Sequence, residues 1–201
     1  MSIQPKSMEG RSPYWGIPIA RAIPAFVVGL SLAFNPNHSS QVGLYAFGAY
    51  AVVASVLLGV LSARVMVAGV TRGLFVTHAV VGLVLGAVAL AFNGGGVPFF
   101  LYIVTFYAAL TGFLELYSGL RSRVSANEAD RLSARDWITV GGFTAVLALV
   151  FLLFPLDVVT AVGLFGGYAV MLGLYLVIGG LSLRWGHAPS NQTPLNQETA
   201  P

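Results

Sequence analysis

The chain has no cysteine and little charge. The first absence excludes disulfides, thiolate metal sites and cysteine nucleophiles. Charged side chains make up only 8% of the 201 residues, against about a quarter in an ordinary soluble domain. A soluble fold of this length could not hydrate its surface with so few, so the solvent must be largely lipid. The hydrophobic share of 57% and the mean hydropathy of +0.83 agree. Catalytic signatures are also missing. There is no HExxH, no GxSxG and no aspartate pair within the apolar runs, so the expectation is a non-enzymatic protein without cofactor or metal. Asn93-Gly94-Gly95-Gly96 has the glycine content of a phosphate loop but no Lys-Ser/Thr after it, and reads as a turn. The net charge of +3 comes from basic residues scattered through an apolar chain. They form no basic face, and nucleic acid is not an expected partner.

What the chain does have is six apolar segments, near residues 17–34, 43–61, 73–92, 97–120, 137–154 and 158–183. Each approaches the ~20 residues that cross ~30 Å of hydrocarbon as a helix. Backbone polar groups in lipid must be satisfied within the segment, which favours helices over strands. The fold class is therefore an all-α integral membrane protein of six transmembrane helices, with the lipid bilayer as its partner. Residues 1–16 read as a polar tail, 17–185 as the membrane domain and 186–201 as a disordered polar tail. Pro18, Arg21 and Pro24 interrupt the first apolar run, which argues against a cleaved signal peptide.

The basic residues mark one rim. Lys6, Arg11 and Arg21 lie before or near the start of the first span, Arg64 and Arg72 between spans two and three, Arg121, Arg123, Arg131 and Arg135 between four and five, and Arg184 after six. The other connections hold none. The positive-inside rule then predicts a multi-pass protein of the cell (inner) membrane with both termini in the cytoplasm. Trp15, Trp137 and Trp185 fall at that boundary and read as interfacial anchors.

The spans pair as three helical hairpins, about 17–61, 73–120 and 137–183, with a repeat of roughly 60 residues. Odd spans end in LAFNP, LAFNG and LLFPL; even spans carry Tyr50, Tyr107 or Tyr168, then small residues, then arginine. Three copies suggest a pseudo-threefold bundle. Small residues four apart occur in every span: Ala25/Gly29/Ala33, Ser55/Gly59, Gly82/Gly86, Ala108/Gly112, Gly141/Ala145 and Gly163/Gly167. Such spacing lets helix backbones approach closely, and glycine-lined faces also leave room for a homo-oligomer.

One residue departs from the repeat. Eight positions beyond the tyrosines stand Leu58, Glu115 and Leu176, so only the fourth span has a carboxylate there. Glu115 precedes Arg121 by six residues, which places it roughly 9 Å inside the helix end. An ionisable group at that depth is costly and marks a candidate functional site. It shares the stripe Ala108, Gly112, Glu115, Gly119 and should face a neighbouring helix. His78 and Arg21 lie at a similar depth, so the expected intramembrane cluster is Glu115, His78 and Arg21, with either partner open to the carboxylate. The plainer alternatives are an Arg21 that snorkels to the interface and a neutral His78 bonded to a carbonyl. Asp157 reads as the N-cap of the sixth span, and residues 124–136 as a solvated linker.

Arg21 at the start of the first span, the AFNP and FPL ends of odd spans and the phrase TGFLELYSGLRSR resemble the HdeD-type acid-resistance membrane proteins, small bacterial six-helix proteins of repeated hairpins. The resemblance covers roughly residues 15–184 and rests on order and spacing. It implies a bacterial inner-membrane protein linked to acid or envelope stress resistance, and supplies no catalytic mechanism. The alternative is a small proton-coupled transporter or channel using the Glu/His/Arg cluster, of unknown small-molecule ligand.

Overall fold

A computed structural model describes residues 12–185; residues 1–11 of the predicted N-terminal tail and the whole predicted disordered tail, 186–201, lie outside the described residues. After a 3-10 turn at Pro13–Trp15 come α1 (Gly16–Phe34), α2 (Ser40–Val65), α3 (Val70–Ala91), α4 (Gly96–Ser122), α5 (Glu128–Leu153) and α6 (Val158–Trp185). All six are long and apolar enough to cross a membrane, and no strand occurs among the described residues. Large apolar side chains such as Val27, Phe34, Tyr102, Phe106, Phe113 and Leu152 point outward. Water would penalise that surface and hydrocarbon does not.

The helix ends have local causes. The Ser39 hydroxyl accepts from the Val42 N–H at 3.4 Å and starts α2. Asp157 caps α6, as expected, with Oδ1 accepting from the Val159 and Thr160 N–H groups at 2.9 and 3.1 Å. The Thr160 hydroxyl also donates to its carboxylate, and these bonds hold the Asp157 carboxyl below its usual range. At the start of α4, Gly96 takes a φ of 74°, a left-handed backbone that suits glycine. The linker reading of 124–136 is corrected: α5 begins at Glu128. Asn127 Oδ1 accepts from the Ala129 N–H at 3.1 Å, and Glu128 and Asp130 lie in the first turn, where the helix dipole favours negative charge.

The helices form a ring in chain order, closed by α6 packing back on α1, while α2, α4 and α6 also meet across the middle. The hairpin connections are therefore present, but the closest packing alternates with them, at α2–α3, α4–α5 and α1–α6. Small residues decide this. A Cβ placed on Gly86 would stand 2.9 Å from the Val52 nitrogen, one on Gly112 2.9 Å from the Ala145 nitrogen, and one on Gly29 2.8 Å from the Val170 nitrogen. Only a hydrogen fits against those backbones. In α6 the glycines packed on α1 include Gly166, Gly173 and Gly180; the expected pair Gly163/Gly167 faces open space.

The inner helices carry the core. Phe47 and Tyr50 of α2, Phe100 and Tyr107 of α4, and Phe165 and Tyr168 of α6 are all buried. Their rings meet edge to face, Phe47 at 5.2 Å from Tyr107 and 5.7 Å from Phe165, and Phe100 at 6.4 Å from Phe165. A second, smaller apolar cluster, built on Tyr14, Leu58, Phe75 and Trp137, closes the basic end.

Candidate functional site

Between these two apolar clusters lies a polar layer. Its residues are all departures from the repeat. The positions equivalent to Glu115, Leu58 and Leu176, are as buried as the glutamate is, so the register of the inner helices alone aims all three inward. Counting back thirteen residues from the phenylalanines that end the odd spans (Phe34, Phe92, Phe154) gives Arg21, Ala79 and Gly141. The residue before each of those is Ala20, His78 and Val140. One copy supplies an arginine, a second both a histidine and a glutamate.

The fold brings the three together. Arg21 Nη1 is 2.6 Å from Glu115 Oε1, and the two side chains are only 7% and 2% exposed. His78 Nδ1 is 3.7 Å from the same oxygen, close enough for electrostatic coupling but too long for a hydrogen bond. Of the two candidate partners, Arg21 makes the close contact. It does not snorkel: it turns into the bundle, with Ala22 and Ala25 buried on the same helix. Pro24 lies inside α1 and has no N–H, so the carbonyl of Ala20, next to Arg21, loses its partner within the helix. Glu115 Oε2 and His78 Nδ1 have no hydrogen-bond partner at all.

The arrangement is a charge-balanced pair in a low-dielectric interior. Desolvation of both ions opposes their attraction, so the pair adds little net stability while intact. Loss of one partner leaves an uncompensated buried charge. Protonating Glu115 cancels the charge opposite Arg21, and protonating His78 places a second positive charge beside it.

The aromatic layer adjoins this site. Tyr50 and Tyr107 approach with ring centroids 6.3 Å apart, and the Tyr168 hydroxyl lies 2.8 Å from the Thr144 hydroxyl. On the other side, sequence reasoning missed a polar network at the basic end. The Tyr14 hydroxyl accepts from the Val67 N–H at 3.4 Å and from Asn127 Nδ2 at 3.1 Å. Buried Asp130 accepts from Thr71 at 3.1 Å and Ser125 at 3.2 Å. Asp136, on α5, accepts from the Tyr175 hydroxyl of α6 at 3.2 Å. Nothing in a charged stretch such as NEADRLSARD distinguishes a buried aspartate from a solvated one.

The tryptophans divide. Trp15 is 37% exposed, with the Arg184 guanidinium 4.8 Å over its ring, and Trp185 is exposed, both as anchors would be. The anchor reading of Trp137 is corrected. It is buried, its ring centroid 4.8 Å from Phe75 and 6.2 Å from Tyr14. Because α5 starts nine residues earlier than the apolar run does, Trp137 sits well inside the helix and faces α3 and the N-terminal turn.

Fold and site together define a multi-pass helical membrane protein with an ion pair buried between two apolar clusters. A family described as "Short repeat of unknown function (DUF308)" matches residues 77–133. That segment runs from within α3 through α4 into the first turns of α5, and it includes His78 and Glu115. Neither a curated protein nor a solved structure matches the chain.

Proposed function

We propose that this is a non-enzymatic inner-membrane protein of the HdeD type that supports survival under acid or envelope stress, with Arg21, Glu115 and His78 as its proton-responsive element. HdeD-type proteins carry the DUF308 repeat found at residues 77–133. The observation that carries the reading is the 2.6 Å Arg21–Glu115 pair, set where the other copies of the repeat keep apolar or small residues. An acid load that protonates Glu115 strands the Arg21 charge and breaks the ion pair that links α1 to α4 across the bundle. The basic rim supports an orientation with both termini in the cytoplasm; a reporter fused within residues 93–96 that is active in the cytosol overturns that orientation. Deleting the gene should lower survival after acid challenge, and wild-type protein should restore it. Glu115→Gln, expressed at the same level, should not. Equal survival of deletion and parent strains removes the stress reading.

A second reading, a proton-coupled channel or transporter, is favoured by the unpaired Glu115 Oε2 and His78 Nδ1. In proteoliposomes it requires a pH-driven flux that Glu115→Gln abolishes.

A further inference from the structure

Most buried hydroxyls of this bundle have a partner; Ser12 and Ser133, for example, lie 3.1 Å from each other. Thr105, Thr111, Ser118 and Thr144 each donate back to the carbonyl four residues earlier, at 2.7, 2.7, 2.6 and 2.9 Å, which is the dry solution open to a hydroxyl in a membrane helix. Ser55, Ser62 and Ser122 do not. All three are nearly or fully buried, and their hydroxyls have no partner. His78 Nδ1 and Glu115 Oε2 share that condition. Among the described residues these unpaired atoms are confined to α2, α3 and α4, and all lie on the basic side of the Tyr50 and Tyr107 level.

They also line up. Ser122 shares a stripe with Glu115 and Ser118 on α4, and Ser55 shares one with Ser62 on α2. The Ser55 hydroxyl occupies the place a side chain on Gly82 would take, one turn from His78 on α3. Val67 and Asn127, each five residues beyond Ser62 and Ser122, both bond the Tyr14 hydroxyl. Ser62, in the last turn of α2, and Ser122, the last residue of α4, therefore both lie at the basic end, close in sequence to the groups that bond that hydroxyl. Glu115 lies about 10 Å further in than Ser122, a distance that about three hydrogen-bonded waters span.

We propose that the polar layer holds a one-sided file of ordered water running from the Tyr14 hydroxyl, past Ser122 and Ser62, to Glu115 and His78, and ending at the edge-to-face aromatic layer of Phe47, Tyr107 and Phe165. Buried polar groups without protein partners are where proteins keep such water. The file gives Glu115 a proton route to the basic end only. The groups facing Glu115 are Arg21 from α1, Tyr50 from α2, His78 from α3, Tyr107 from its own helix and Tyr168 from α6, while α5 offers Thr144, already bonded to Tyr168. The use of this route for acid response rests on the function proposed above; the water itself does not.

The test is radiolytic labelling of the full chain in nanodiscs in oxygen-18 water, where hydroxyl radicals form at bound waters as well as in bulk. After correction for intrinsic reactivity, His78 should take up label roughly tenfold faster than Phe47 and Phe165, which are as buried but have no orphaned neighbours. Ser122→Val should cut His78 labelling severalfold; Ser62→Val serves if that variant does not fold. Labelling of His78 as slow as that of Phe47 and Phe165 overturns the file. Phe47 and Phe165 labelled as fast as His78 overturn its one-sidedness. Survival assays play no part in either outcome, so a failed stress phenotype and a failed water file are told apart.

Discussion

At the level of Tyr50, Tyr107 and Tyr168 the three copies of the repeat place the same side chain. Eight residues on they place Leu58, Glu115 and Leu176. Both layers are buried and both face the middle of the bundle. The tyrosine layer can be threefold because aromatic rings pack on one another, with their hydroxyls finding neighbours. The glutamate layer cannot. Three carboxylates at one level in a low dielectric would repel, and one carboxylate requires a cation, supplied here from another helix. Repeated architecture thus tolerates a charge when the departures occur in pairs, here Arg21 on α1 with Glu115 on α4.

That comparison breaks most sharply at the pair itself. Glu115→Leu restores the side chain of the other copies yet leaves Arg21 buried alone, and should cost about 3–5 kcal/mol of stability in detergent unfolding. Arg21→Ala/Glu115→Leu restores both template-like residues and should recover most of that loss. A double variant no more stable than the single would show that charge pairing is not what holds the layer.

A next-largest effect is expected where repeat positions meet backbone to backbone. Gly112→Val drives a side chain into the Ala145 backbone and should destabilise by about 1–3 kcal/mol. Gly163→Val enters open space and should stay within about 0.5 kcal/mol. Similar melting of the two variants would contradict the packing of α4 on α5.

In the tyrosine layer, Thr144→Val removes the 2.8 Å contact to Tyr168 and should cost about 1 kcal/mol, read by the same unfolding. The smallest effect lies in the exposed turn. The depressed Asp157 carboxyl contributes stability above the usual aspartate range, and that contribution fades as pH falls through its lower folded value. Asp157→Ala should therefore melt below the wild type at neutral pH, with the gap closing in strong acid. A gap that widens in acid would reverse the assignment.

Much of this was legible in one dimension. The depth of Glu115, its departure from the repeat and its stripe with Gly112 come directly from spacing, and they were enough to name Arg21 and His78 beside it. The choice between those two partners was not legible. A difference between 2.6 and 3.7 Å depends on how α1 and α3 are rotated about their own axes. Trp137 and Asp130 show the same limit, since a residue near a helix end reads alike whether it faces headgroups or a neighbouring helix.

Sequence alone settled the solvent, the number of helices and the rim of positive charge. Each is a sum over a local stretch of chain, and hydrocarbon leaves the backbone few other ways to satisfy its polar groups. Tertiary structure decided which helices lie closest, that Arg21 turns inward and that residues 128–136 belong to α5. When both the lipid-facing and the core-facing sides of a helix are apolar, hydropathy carries no contrast between them. Only the fit of glycine against backbone, and of charge against charge, selects the face.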